Sequence, residues 1–438
     1  MTKLDERQSI VFVYSDLSVG GVETLIVRLS KWMVDEGHRV TILLERDSVL
    51  DELLDGGVNR IYGVSQLALL VRSRSTVRAR YEIGRADLIL APDPRASWMV
   101  LSLAGGIQPD ARLLNFIFHP RIYFFRSGWR NVLDMLYERA FRFLILKQSL
   151  FFMNEACRRS HADHFGVDLS EAHILPLPVS VECGPSSPVR SRRIVSIGRL
   201  TSFKTYNVYM MDVVKNLVDR GFNDVKWDVY GDGPLLDGMR KRIGELGIEA
   251  NVQLHGAVPY ESLADVLDGA EIFVGMGTSL IEACARGLPG IPAIDSEGAT
   301  TYGFFHDMPG YEVGECLGYP PGVGISDLIE KTFLMDMHEY ESLCADSLRH
   351  CRRFSLDQVA EDLLAQSKVL PPISEFPEMP RMDRFLGMAY LTCVWVANGI
   401  AKVLILILKT LLPASIARRL KKWNRDRHVR MNSRERAT

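Results

Sequence analysis

Seven cysteines are spread over 438 residues without a single C-x-x-C pair: Cys157, Cys183, Cys284, Cys316, Cys344, Cys351 and Cys393. That scatter excludes a disulfide framework and reads as reduced cytosolic thiols. There is no D-x-D pair to anchor a divalent metal, and His and Cys do not cluster as zinc ligands, so neither metal nor other cofactor is expected. An excess of one charge is also lacking. Lys and Arg number 52 against 54 Asp and Glu, a formal net charge of -2, and nothing in the chain as a whole points to a nucleic-acid partner. The first residues, MTKLDERQS, lack the apolar region of a signal peptide, so the bulk of the protein is expected in the cytosol.

What is present is a globular composition, 47% apolar and 24% charged, in a chain too long for one ordinary core. Short apolar runs alternate with helical patterns, the signature of parallel sheets wrapped by crossover helices. SIVFVYS, RVTILLE, DLILAP, RLLNFIF and SLFFMN read as strands, and Val22 to Glu36 as a helix with Leu25, Ile26, Leu29 and Met33 on one face. From Pro176 to Arg193 prolines, serines and a glycine mark a connection. A second series follows: RIVSIG, a helix near Tyr206 to Arg220, VKWDVYG, a helix through Leu246, NVQLHG, EIFVG, a helix from Ser279 and GIPAI. The expected fold class is α/β, two doubly wound Rossmann-like halves facing a cleft. The expected boundaries are 1–187 for the acceptor side, 188–370 for nucleotide-sugar binding and 371–438 for an apolar helix and basic tail.

Ligands of doubly wound sheets bind at the carboxyl ends of the strands, so the loops there carry the chemistry. Gly20 and Gly21 end the first strand in SDLSVGGVETL, either to let a diphosphate approach a helix start or simply to make a tight turn. GRLTSFK sets Arg199 and Lys204 just past the first strand of the second half. A planar fork beside a mobile point charge suits a diphosphate, although two such cations alone equally describe a solvated loop. YGDGP by itself is only a turn. In GMGTSLIEACARGLP, Gly275 and Gly277 precede a helix whose first amides, at Thr278, Ser279 and Leu280, are oriented to receive a phosphate. Glu282 lies about one turn further in, where its carboxylate either accepts ribose hydroxyls or merely complements the helix start.

In order and spacing these segments resemble the retaining nucleotide-sugar glycosyltransferases of family 4, whose twin-Rossmann fold is called GT-B. The resemblance runs from about Ile10 to about Leu370 and rests on GGVETL followed by GHRVTIL, GRLTSFK, YGDGP, LHGAVPYESL and SLIEACARGLP, in that order. It implies that Arg199 and Lys204 grip the donor diphosphate, that Gly20 and Gly21 cover it, that Gly277, Thr278, Ser279 and Leu280 bind the donor, and that Glu282 is a ribose ligand. The first acid of the family's E-x7-E element is absent, with Val274 in its place, so no donor sugar is implied. The GMGTS backbone is the expected substitute. His119, in FIFHPR, resembles the family histidine beside the reacting sugar, with a positioning or polarising role. Retention of anomeric configuration is implied, the departing phosphate helping to deprotonate the acceptor while cations stabilise it.

Two segments raise a membrane. Between Asn115 and Phe152 aromatics alternate with Arg121, Arg126, Arg130, Arg139 and Arg142, which fits a headgroup-facing surface or an ordinary amphipathic helix. From Phe385 to Leu412 runs an apolar stretch, followed from Pro413 to Thr438 by nine Lys or Arg against two acidic residues. A single span would put either the basic run or the preceding domains on the wrong side, so a hairpin or in-plane helix on the cytosolic face is expected, with a single span as the second reading. The expectation is a transferase taking sugar from a nucleotide diphosphate to a lipid-linked or polysaccharide acceptor at that face. A nucleotide-sugar epimerase of the same fold and a non-catalytic membrane or transferase partner are the alternatives.

Overall fold

The computed structural model describes residues 7–375 except positions 19, 51–53, 55, 66–67, 69–72, 106, 108, 125–137, 139–140, 143, 145–147, 181–187, 203, 260–261 and 296–297. The first half runs β1 (Ser9–Tyr14), α1 (Gly21–Asp35), β2 (Arg39–Leu44), β3 (Val58–Ile61), α2 (Arg74–Arg85), β4 (Leu88–Ala91), α3 (Pro94–Ala104), β5 (Arg112–Ile117), β6 (Leu150–Phe152), α4 (Glu155–Phe165) and β7 (His173–Ile174). Its seven strands are parallel, in the order β3-β2-β1-β4-β5-β6-β7. Helices cover both faces, so the central strands are apolar throughout: Ile10 to Val13 and Leu88 to Ala91 are all buried. In α1 the stripe Leu25, Ile26, Leu29 and Met33 is buried as its spacing requires, and Gly37, in the left-handed region, ends the helical run. Helix α3 starts where Asp93 accepts the Ala96 amide at 2.7 Å with Pro94 in the first turn.

The second half repeats the plan with β8 (Arg193–Ile197), α5 (Tyr206–Asp219), β9 (Lys226–Tyr230), α6 (Leu236–Leu246), β10 (Val252–Gly256), α7 (Leu263–Leu267), β11 (Ile272–Gly275), α8 (Thr278–Cys284) and β12 (Gly290–Pro292). Its parallel order is β10-β9-β8-β11-β12. Trp227 sits at the centre, its Nε1 donating to Ser196 Oγ at 2.9 Å while Ser196 donates to the Val274 carbonyl at 2.7 Å. One buried polar chain thus ties β9, β8 and β11 together.

Helices α9 (Ile325–Leu334), α10 (Met337–Cys351) and α11 (Leu356–Ser367) follow. The chain then returns to the first half. Trp32 of α1 donates to Asp357 of α11 at 2.8 Å, and the Ile373 amide donates to Ala111 beside β5 at 2.8 Å. In both sheets the strand order reverses beside the first strand, which opens a crevice at the carboxyl ends of β1 and β4 and another at those of β8 and β11. Among the described residues no helix is long and apolar enough to cross a membrane. The apolar stretch 385–412, the basic run after it, and Arg126, Arg130 and Arg139 lie outside the described residues.

The loop after β9 crosses the loop after β8 so closely that a side chain at Gly231 would overlap the Gly198 carbonyl, whereas Gly238, exposed in α6, faces open space. Gly231→Ala is expected to cost about 1–3 kcal/mol, and Gly238→Ala to gain about 0.4–1 kcal/mol by restricting the unfolded chain. Urea unfolding midpoints moving in opposite directions support this packing; a Gly231→Ala midpoint equal to the parent's contradicts it.

Candidate active site

The second-half crevice is built on three backbone crossings. Gly198 N–H donates to the Tyr230 carbonyl at 2.9 Å, Leu200 N–H to Asp232 at 2.9 Å, and Leu235 N–H back to Leu200 at 3.1 Å. These fix the loop carrying Arg199, which is exposed, and Lys204, which is partly buried with its ammonium 5.9 Å from the Tyr206 ring centre. Burial, with the neighbouring charge of Arg199 added, lowers Lys204 to about 8. Among the described residues no carboxylate stands at ion-pair distance from either cation. Two like charges side by side, one largely stripped of water, form a site for an anion.

Beyond β11, Gly277 takes φ +72°, a left-handed conformation suited to glycine, and turns the chain into α8. Ser279 Oγ donates to the Ile197 carbonyl at 3.0 Å, so the start of α8 is fastened to the end of β8 beside Gly198 and Arg199. The amides divide in a way the sequence does not reveal. Gly277 N–H donates to Val313 at 2.8 Å and Leu280 N–H to Gly277 at 3.1 Å, which leaves Thr278 and Ser279 as the first-turn donors toward the crevice. Val274 is fully buried within β11 with its carbonyl taken by Ser196, so an acid at this position would sit in the sheet and not in the cleft.

The first half meets this site through α1. A Cβ at Gly21 would lie 3.6 Å from Thr278 Oγ1, which brings the first-half glycine loop against the start of α8. Glu23, in the first turn of α1, folds back against Gly20 and accepts a hydrogen bond from the Tyr14 hydroxyl at 3.4 Å. Burial raises its carboxyl above the ordinary range, opposed in part by the positive charge of Arg199. One turn further on, Arg28 is ion-paired with Glu282 and also donates to the Pro178 carbonyl at 3.1 Å. Glu282 is therefore held across the interface, its side chain 13% exposed.

His119 follows β5. Its Nδ1 accepts the Arg121 N–H at 3.1 Å, which puts the proton of the neutral ring on Nε2. Burial lowers its pKa, Asp295 opposing and Arg121 adding to the effect. The Arg121 guanidinium reaches Asp295, just beyond β12, at 3.4 Å, so His119 also lies where the halves meet. A third bridge joins Glu312, a carboxyl pushed up to about 8 by burial, to the Ala156 amide at the start of α4 at 2.9 Å. The structure thus gathers Gly20, Gly21, Arg199, Lys204, Thr278 and Ser279 at one crevice, with Glu282 deeper and His119 along the same interface. Arg28, Asp295 and Glu23 escaped sequence reasoning, and Arg121, read there as part of a headgroup-facing surface or an amphipathic helix, reaches Asp295. Only an arginine on the apolar face of α1 and the acid within GGVETL hint at them.

Two doubly wound parallel sheets with their crevices brought together define the GT-B fold. Residues 19–182 match the family model described as Glycosyltransferase Family 4, and residues 185–301 that described as Glycosyl transferases group 1. The chain belongs to this family of group 1 glycosyltransferases. It is 26% identical over 324 residues to the GPI3 subunit of phosphatidylinositol N-acetylglucosaminyltransferase from Saccharomyces cerevisiae, over 66% of this chain and 70% of the yeast protein. Its fold matches HepE of Anabaena, solved with UDP and glucose, with a TM-score of 0.61 at 13% identity over 83% of this chain and 100% of that one. Sucrose-phosphate synthase of Thermosynechococcus elongatus matches with a TM-score of 0.58 at 15% identity, over 83% and 98%.

Burial of Lys204 has a stability signature. With a folded pKa of about 8 and an unfolded one near 10.4, the unfolded chain holds the extra proton between these values, so this residue's contribution to stability improves as pH rises through that window. Below it the charged, desolvated ammonium is a net cost. Lys204→Met is expected to stabilise the protein at pH 7 by roughly 1–2 kcal/mol while removing the anion site. A lower melting temperature at pH 7 for Lys204→Met contradicts the assignment.

Proposed function

We propose that the protein is a retaining transferase that moves a sugar from a nucleotide diphosphate to a lipid-linked acceptor at the cytosolic face of a membrane. The observation that carries the donor reading is the pair of cations at the crevice of β8 and β11, with no carboxylate at ion-pair distance from either among the described residues. Arg199 grips one phosphate through its planar fork, and Lys204 neutralises the charge that develops on the departing one. The amides of Thr278 and Ser279 add donors, while Gly20 and Gly21 cover the diphosphate without a side chain in its way. Glu282 accepts from the ribose hydroxyls, and Arg28 sets its orientation. His119, neutral near pH 7 and carrying its proton on Nε2, positions or polarises the reacting sugar.

A bond forms between the acceptor oxygen and the anomeric carbon, and the bond from that carbon to the phosphate oxygen breaks. The hydroxyl proton leaves with the nucleoside diphosphate. Charge neutralisation falls to Arg199, Lys204 and the amides, so the reaction proceeds without a divalent metal. The lipid-linked acceptor rests on two supports: the yeast relative is named for a phosphatidylinositol acceptor, and the basic run after the apolar stretch 385–412 is suited to anionic headgroups.

The protein, purified with membranes, is to be screened against nucleotide sugars for hydrolysis and for transfer to phosphatidylinositol vesicles. Lys204→Ala is expected to lower turnover about 10²–10³-fold, and EDTA to leave the parent rate within about twofold, since cationic side chains replace the metal's charge. A Lys204→Ala protein as active as the parent contradicts the donor assignment, and loss of activity in EDTA contradicts metal independence.

A further inference from the structure

The loop after β11 offers a sugar no acid. Gly275 to Ser279 reads GMGTS, and Val274 before it is buried in the sheet. Glu282, further along α8, is ion-paired with Arg28. A hexose held beside the diphosphate presents several hydroxyls that donate hydrogen bonds, and a carboxylate is the side chain that accepts from two neighbouring ones at once. The next strand of the same sheet supplies one.

Asp295 lies just past β12, which pairs in parallel with β11, so it leaves the sheet at the same carboxyl edge as the start of α8. Its backbone is fixed there. Ala293 N–H donates to the Gly275 carbonyl and Asp295 N–H to the Gly314 carbonyl, both at 2.8 Å. Gly314 itself, at φ +128°, approaches so closely that a Cβ would press on the Ala293 carbonyl and on Met276, which packs this loop against the GMGTS turn. The Asp295 side chain, 16% exposed, reaches the first half, its Oδ2 lying 3.4 Å from Arg121 Nη2. The Arg121 N–H donates to His119 Nδ1 at 3.1 Å, and among the charges acting on that imidazole Asp295 is the strongest, opposing the downward push of burial. Asp295 and His119 thus arrive at one place from opposite halves. The ion pair is long and its guanidinium is 41% exposed, so Arg121 holds the carboxylate only loosely.

We propose that Asp295 determines which donor sugar is accepted: its carboxylate takes hydrogen bonds from vicinal hydroxyls of a neutral hexose lying beside His119, and its charge excludes hexuronates. This rests on the transferase reading above. A hydroxyl donates to the carboxylate at no electrostatic cost, whereas a sugar bearing its own carboxylate brings a second negative charge into a half-buried site. Arg121 offsets part of that repulsion, so its removal sharpens the exclusion.

The test compares the full chain with Asp295→Asn and Arg121→Ala on two donor pairs that differ at C6 alone, UDP-glucose with UDP-glucuronate and GDP-mannose with GDP-mannuronate. Donor affinity and UDP or GDP affinity are read by calorimetry, and kcat/KM by donor hydrolysis. The parent is expected to favour the neutral member. In Asp295→Asn the nucleoside diphosphate binds within about twofold of the parent, kcat/KM for the neutral donor falls about tenfold, and the neutral-to-uronate ratio shifts about tenfold or more toward the uronate. In Arg121→Ala that ratio moves the other way, about two- to fivefold, and this variant carries the test should Asp295→Asn not fold. A merely structural role lowers both members of a pair alike; an unchanged ratio in both variants overturns the proposal, and so does a parent that takes the uronate as readily as the neutral sugar. Unchanged nucleoside diphosphate affinity in Lys204→Ala overturns the donor reading, and this proposal with it.

Discussion

A lysine ammonium held largely out of water beside an arginine, with no carboxylate at ion-pair distance among the described residues, is the constraint around which the rest of the site is arranged. Each local feature of the second half keeps that arrangement in place. The glycines of the loop after β9 let two backbones cross, which fixes the loop after β8. Ser279 fastens α8 to the end of β8. Folding holds two cations where they repel one another, and the energy of that repulsion is recovered only when an anion arrives.

The two halves are joined by contacts that run through the same neighbourhood. Arg28 holds Glu282, Arg121 reaches Asp295 next to His119, and Glu312 receives the amide at the start of α4. The chain end reinforces this, since α11 lies on α1 and the segment after it returns to β5. Side chains from both halves therefore define one interface, and a ligand lying there senses them together. A buried pair such as Arg28 and Glu282 adds little net stability but sets geometry, because breaking it leaves an uncompensated charge.

The fold was legible because strands buried on both faces are written as continuous apolar runs and the helices between them carry one apolar stripe. SIVFVY, RVTILL and RLLNFI announced β1, β2 and β5 directly. The four-residue β3 and two-residue β7 are too short to show a period, and they form because a neighbour offers an edge. Loop chemistry was readable wherever glycine and charge fell together, as in GRLTSFK. It was not readable where a contact joins distant positions: nothing near Arg28 in sequence names Glu282, 254 residues away. The division of amides at α8 was hidden for the same reason, since the partner of Gly277 is Val313 on a later loop.

The most direct measurement is a crystal structure of the protein with UDP. The account expects the diphosphate at the crevice of β8 and β11, within hydrogen-bond distance of Arg199, Lys204 and the amides of Thr278 and Ser279, with the ribose toward Glu282. A diphosphate bound elsewhere, with both cations facing solvent, would contradict it.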